Sequence, residues 1–115
     1  MLRIVRDSNL SRSIKELYDY SCQACGIRIE VRGVGYAEGA HIRPLGKPHN
    51  GQDVSGNILC LCPNHHVMFD KGAFTIKENF SLIGLESSLK VHQQHSIDLS
   101  NLNYHREHIY INSNS

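Results

Sequence analysis

A chain of 115 residues with four cysteines and eight histidines has room for one small domain, whose apolar core is marginal without a metal or another staple. Its formal net charge of +1 excludes the strongly basic class of tight non-specific polyanion binders. No apolar run approaches the length of a membrane span and no apolar signal segment opens the sequence, so membrane association is not expected. A cytoplasmic location is expected instead, and there paired cysteines read as metal ligands before disulfides.

The charge is unevenly spread. Residues 1–50 hold eight Lys and Arg against five Asp and Glu, while residues 51–115 hold four against six. The first half can therefore supply local phosphate contacts. No internal repeat or low-complexity linker interrupts the chain, and residues 1–115 are taken as one domain with its core at about 20–72.

In chain order, Leu10, Ile14, Leu17 and Tyr18 fall at i, i+4, i+7 and i+8, one apolar face of a short helix. Ser13 with Glu16 would form a capping box, and Ser11 is an equally good start. A two-cysteine turn, Cys22-Gln23-Ala24-Cys25-Gly26, comes next. Residues 28–31 and 34–36 read as two β-segments around Gly33. Residues 44–56 are rich in Gly, Pro, Asn and Asp and have no periodicity. Alternation from Ile58 to Cys62 predicts a strand bounded by Asn57 and Pro63. Pro63 suits the first helical position, and Lys71-Gly72 supplies a basic last turn and a glycine stop. Residues 73–76 and 80–83 read as strands about a turn at Lys77-Glu78-Asn79, and residues 89–92 are candidates for another. Residues 99–108 fit either a final helix or an irregular tail.

Two pairs share a two-residue spacing: Cys22 with Cys25, and Cys62 with His65. Together they offer the four ligands of a closed, tetrahedral structural zinc. Cys60 is a rival, but Cys60 and Cys62 lie two apart on one strand, a poorer chelate than a knuckle, so Cys60 is assigned to the core. His65 and His66 are adjacent, so on a helix they diverge by about 100°. One can face the zinc while the other stacks on Asp70 at i+4 and offers two ligands to a hard cation such as Mg2+ or Mn2+. Asp70 stands in the last turn, where an acid costs about 0.3–1 kcal/mol against the helix dipole. His92 with His95, and His105 with His108, have ligand-like spacing without a supporting cysteine, and read as surface or packing residues.

The order strand, loop, strand, helix, with Ala40-His41-Ile42-Arg43-Pro44-Leu45-Gly46, Pro48-His49-Asn50-Gly51 and Cys60 through Asp70 at its fixed points, resembles the ββα-metal core of HNH endonucleases. Ile14 to Tyr20, Cys22 to Gly26 and Tyr104 to His108 extend the likeness to the C-terminal nuclease domain of SRA–HNH modification-dependent restriction enzymes. The resemblance implies an α+β fold: a small zinc-stabilised, treble-clef-like ββα-metal domain with a flanking N-terminal helix and C-terminal strands. It implies a metal-dependent DNA endonuclease, with His41 as general base and Asn57 as the residue that steadies the base loop and in some members reaches the metal. Arg43 and Lys47 are then the expected phosphate contacts. Many members carry an Asp or His ligand just before the base, where this chain has Ala40; His49 and Asp53 are weaker candidates to complete that shell. DNA, modified or not, an SRA-type or other reading module, and a second copy of the chain are the expected partners. A zinc-stabilised DNA- or protein-binding module that no longer cleaves is the alternative.

Overall fold

The computed structural model describes residues 8–111. The first helix, α1 (Ser8–Leu17), begins before either serine expected to start it. Ser13 donates its hydroxyl to the carbonyl of Asn9 at 2.9 Å, a bond back along the helix, so the Ser13–Glu16 capping box does not form. The expected apolar face holds: Ile14 is buried with Ala37, Ile58 and Cys60, and Leu10 and Tyr18 pack beside them.

Strands β1 (Ile29–Val31) and β2 (Val34–Tyr36) form an antiparallel hairpin. Its two-residue turn is Arg32-Gly33, with φ of 54° and 79°, the left-handed pair that matches the twist of the flanking strands. The central ribbon is β3 (Glu38–His41) against β4 (Ile58–Leu61), with Glu38 opposite Leu61, Ala40 opposite Leu59 and His41 opposite Ile58. All four β4 residues are buried. Alternation sends Leu59 and Leu61 into the main core with Ala40, Ile42, Phe69 and Phe74, while Ile58 and Cys60 meet α1.

Cys62 ends the ribbon as the residue before α2 (Pro63–Asp70), which has proline at its start as expected. Gly72 stops the helix at a φ of 79°. A Cβ there would lie 2.2 Å from the carbonyl oxygen of Ile109, so only glycine lets the C-terminal segment cross at this point. Strands β5 (Thr75–Ile76) and β6 (Leu82–Ile83) pair across the expected turn but are shorter than the sequence suggested. Residues 89–92 form no strand. Leu89 and Lys90 instead donate their backbone N–H groups to Phe80 and Gln23, tying this segment to two different neighbours. The 99–108 segment is a helix, α3 (Leu99–His108), capped by Asp98, which accepts from Ser100 N–H at 3.0 Å. Among the described residues no helix is long and apolar enough to cross a membrane.

Candidate active site and metal centre

The two cysteine-bearing turns meet. The ligand atoms of Cys22, Cys25, Cys62 and His65 all lie within 4.8 Å of one another. Four ligands on a tetrahedral zinc at about 2.3 Å stand roughly 3.8 Å apart. Here Cys25 Sγ and Cys62 Sγ are 3.9 Å apart, Cys22 Sγ and His65 Nδ1 3.9 Å, and Cys62 Sγ and His65 Nδ1 3.2 Å. The donor set therefore fits such an ion. Burial raises the Cys22 thiol, but the backbone N–H groups of Cys62, Cys25 and Ala24 outweigh it and its pKa falls below the ordinary value, whereas burial, with the Cys22 and Cys62 sulfurs close by, pushes Cys25 up to about 11. Cys60 stays outside the cluster in the α1-facing core, and burial pushes its thiol up to about 12. Gln23, between the two knuckle cysteines, accepts from Cys60 N–H at 2.9 Å and donates to the Lys90 carbonyl at 2.8 Å. The turn is thus fastened to β4 on one side and to the C-terminal segment on the other.

His41 closes β3. Its Nε2 is 2.7 Å from Asp53 Oδ1, and the two side chains are only 10% and 19% exposed. An ionised carboxylate can only accept, so Nε2 carries the proton and Nδ1 is the atom able to take another. Asp53, weighed from sequence as a cation ligand, is instead the partner of His41. Asn57 is fully buried. Its Oδ1 accepts from Arg43 N–H at 2.8 Å, and its Nδ2 donates to the carbonyls of Arg43 and Gln52 at 2.9 and 2.8 Å. Those bonds close the loop between β3 and β4 around the strand end that carries His41. Gly51 completes the closure, since a Cβ there would stand 2.0 Å from the Arg43 carbonyl oxygen.

On α2, His65 turns to the cysteines and His66 to the other side. His66 Nε2 lies 3.1 Å from Asp70 Oδ2, the expected i, i+4 pair. Its Nδ1 lies 2.7 Å from Glu38 Oε1, and Glu38 Oε2 accepts from the Tyr36 hydroxyl at 2.6 Å. The bond to Asp70, with that to Glu38, raises the His66 pKa above the usual histidine value against the opposing effect of burial. Glu38 is held below the usual carboxylate range by Tyr36 and then by His66. Sequence reading passed over Glu38. The only signal for it was its position on β3, two residues before Ala40 and so on the same strand face.

His41, His66 and Asp70 line one cleft of about 340 Å³, together with Gly39, Lys47, His49 and the 44–46 turn. Lys47 is exposed at its rim. Arg43 lies elsewhere: its Nε donates to the His49 carbonyl at 2.6 Å, and its guanidinium sits 4.2 Å over the Tyr104 ring. It lines a separate polar hollow of about 200 Å³ with Asn50, Gln52 and Asp98. The Tyr104 hydroxyl on α3 also lies in hydrogen-bond contact with His49 Nδ1 at 2.6 Å, so the last helix braces the loop that borders the cleft. Its short Tyr-His-Arg-Glu-His run gave no hint of that contact.

Residues 22–77 match the family model described as HNH endonuclease. A solved structure described as a modification-dependent TagI restriction endonuclease superposes with a TM-score of 0.87 at 41% identity, over 98% of this chain. The chain contains an HNH endonuclease domain at residues 22–77. It spans 42% of the length of the TagI chain. No curated protein gives a significant match.

The match places the ribbon and α2 within the HNH endonuclease domain. The matched segment contains the four-ligand cluster, His41, Asn57, His66 and Asp70. α3 lies outside it, and supports the HNH unit through Tyr104 and through His105. The latter is 1% exposed, stacks on Phe69, accepts from Thr75 Oγ1 at 2.7 Å and donates from Nε2 to the Phe69 carbonyl at 2.9 Å. His95 plays a like part, accepting from Tyr18 Oη at 2.6 Å and donating to the Ser55 carbonyl at 2.9 Å. Both are packing histidines, as their isolation from cysteines suggested.

Proposed function

We propose that residues 1–115 act as one DNA-cleaving unit in which His41 is the general base, Asp53 orients it, and His66 with Asp70 holds a catalytic Mg2+ or Mn2+. The observation that carries this reading is the shared cleft: a histidine whose Nδ1 makes no hydrogen bond among the described residues and a His–Asp pair border the same space. His41 Nδ1 takes a proton from water, the resulting hydroxide attacks phosphorus, and the bond to the 3′ oxygen breaks, that oxygen taking a proton from solvent, giving 5′-phosphate and 3′-hydroxyl ends. When bound, the cation supplies charge stabilisation for the phosphorane and the departing oxygen. Lys47 at the rim is the better candidate for a phosphate contact. Arg43, braced on Tyr104, would reach DNA only through the guanidinium nitrogens that its loop contact leaves over.

The Cys22, Cys25, Cys62, His65 set would hold a structural zinc on the opposite side of α2. Asn57, fully buried, serves this reading as the brace of the base loop and not as a metal ligand. The likeness to TagI supports work within a modification-dependent restriction system; a cytoplasmic location, an SRA-type or other module that reads modified DNA, and pairing of the cutter as a homodimer complete the proposal.

A supercoiled-plasmid assay with Mg2+ or Mn2+ tests the reading. Nicking or linearisation that stops with excess chelator and with His41→Ala is expected. Cleavage by the His41→Ala protein at the wild-type rate would refute it, and DNA binding without any cleavage would favour an inactive binding module.

A further inference from the structure

We propose that Glu38 is the positioning residue that orients His66 toward the catalytic cation, with Tyr36 fixing Glu38 in turn. The inference rests on the reading of His66 and Asp70 as the cation pair, and deepens it. Three side chains from three elements, β2, β3 and α2, form a line: the Tyr36 hydroxyl donates to Glu38 Oε2 at 2.6 Å, and Glu38 Oε1 faces His66 Nδ1 at 2.7 Å. His66 Nε2 then stands 3.1 Å from Asp70 Oδ2.

Chemistry fixes the direction of the line. A carboxylate only accepts, so His66 gives its Nδ1 proton to Glu38. The same rule puts a second proton on Nε2, facing Asp70, while no cation is bound. A bound cation would take the place of that proton, leaving the ring neutral with Nδ1–H on Glu38 and its Nε2 lone pair beside the Asp70 carboxylate in the cleft that both residues line. Both oxygens of Glu38 already accept hydrogen bonds, which makes it a support for a ligand. Such carboxylate partners of metal-bound histidines fix the tautomer and ring orientation and are worth about 10–100-fold in metal affinity. The fold supplies the approach: Glu38 opens β3, and α2 comes directly after the partner strand β4, whose Leu61 stands opposite Glu38. The strand position one residue before the base is Ala40, fully buried in the core. The acid this chain brings to the site therefore comes from two residues earlier on the same face.

The test uses the full chain with its zinc in place and Mn2+ as the probe, its affinity read by the electron paramagnetic resonance of free Mn2+. Glu38→Ala should weaken Mn2+ binding by about 10–100-fold, with unchanged thermal unfolding. Glu38→Gln, whose amide oxygen can still accept from Nδ1–H, should recover part of the loss. Cleavage should return to within a few-fold of wild type at saturating Mn2+, the loss appearing in the Mn2+ needed for half-maximal rate. In the Mg2+-loaded wild type, 15N resonances should show the proton of His66 on Nδ1; a proton on Nε2 overturns the proposal. Should Glu38→Ala fail to fold, Glu38→Gln and the tautomer measurement carry the decision. If His66→Ala or Asp70→Ala abolishes Mn2+ binding while Glu38→Ala and Glu38→Gln bind as wild type, the positioning role is wrong and the cation pair stands. If neither His66→Ala nor Asp70→Ala alters Mn2+ affinity, the cation reading itself falls, and Glu38 with it.

Discussion

His41 and Asp53 sit twelve positions apart in sequence, yet His41 Nε2–H points at Asp53 Oδ1 over 2.7 Å. The pair is mostly enclosed, so the carboxylate holds one tautomer of the imidazole with little competition from water. Asp53→Asn keeps the shape, but its amide can flip and offer Nδ2–H to the ring. We expect DNA binding to be retained while cleavage falls by about one to two orders of magnitude, and by about two to four for His41→Ala, the usual scale of general base catalysis. Single-turnover cleavage beside a filter-binding assay checks both. An Asp53→Asn protein that cuts at the wild-type rate would remove Asp53 from the machinery.

Asn57 should behave differently from His41, because its three hydrogen bonds all end on backbone groups of the loop. Asn57→Ala leaves those groups without this partner in a buried place, which costs about 3 kcal/mol or more. Urea unfolding should show a clear loss for Asn57→Ala and little change for His41→Ala. Gly51→Ala should resemble Asn57→Ala, since its Cβ would press on the Arg43 carbonyl.

Chelation of zinc should unfold the chain. Apparent zinc binding in small metallo-domains is worth about 10–16 kcal/mol, as large as the whole stability of a typical domain, about 5–15 kcal/mol. Elemental analysis should give one zinc per chain, and Cys25→Ser or Cys62→Ser should lose it with the fold. Cys60→Ser should keep zinc and lose only core packing, because Cys60 lies with Ile14 and Ile58 and outside the ligand cluster.

Stability should fall in acid partly through His105. Burial pushes its pKa down to about 4 from the ordinary 6.5. The native state therefore resists the proton that the unfolded chain accepts. This contribution is present above about 6.5 and is lost as pH falls toward about 4. The stability difference between wild type and His105→Gln, which cannot titrate, should shrink by about 2 kcal/mol between pH 7 and pH 5. Urea midpoints at the two pH values measure it; a difference that stays constant would mean that His105 is not held neutral in the fold.

Local period and spacing made part of this protein legible from its residues alone. Two turns of matched two-residue spacing announced the cluster of Cys22, Cys25, Cys62 and His65, and the i, i+4 placement of His66 and Asp70 put them together on one side of α2. Pro63, Gly72 and the apolar alternation of 58–62 marked that helix and strand, because each is a property of backbone stereochemistry read over a few residues. The start of α1 escaped the same reading: a hydroxyl can bond backward within a helix as well as cap one, and Ser13 does so.

The side chains that complete the site were settled by packing in three dimensions. Asp53 stands on His41, Glu38 on His66 and Tyr104 on Arg43 and His49. Each pair joins separate elements, or a strand and its loop, across a sequence distance with no period to betray it. A carboxylate in a loop and a tyrosine on a polar helix look like ordinary surface residues until packing removes the water around them. Folding also settled α3, whose weakly patterned sequence becomes a helix because Leu102 and His105 find a buried face against β5 and Phe69. The chain encodes its two cysteine-bearing turns locally, whereas the partners that tune its histidines are selected by the hydrogen bonds that burial makes obligatory.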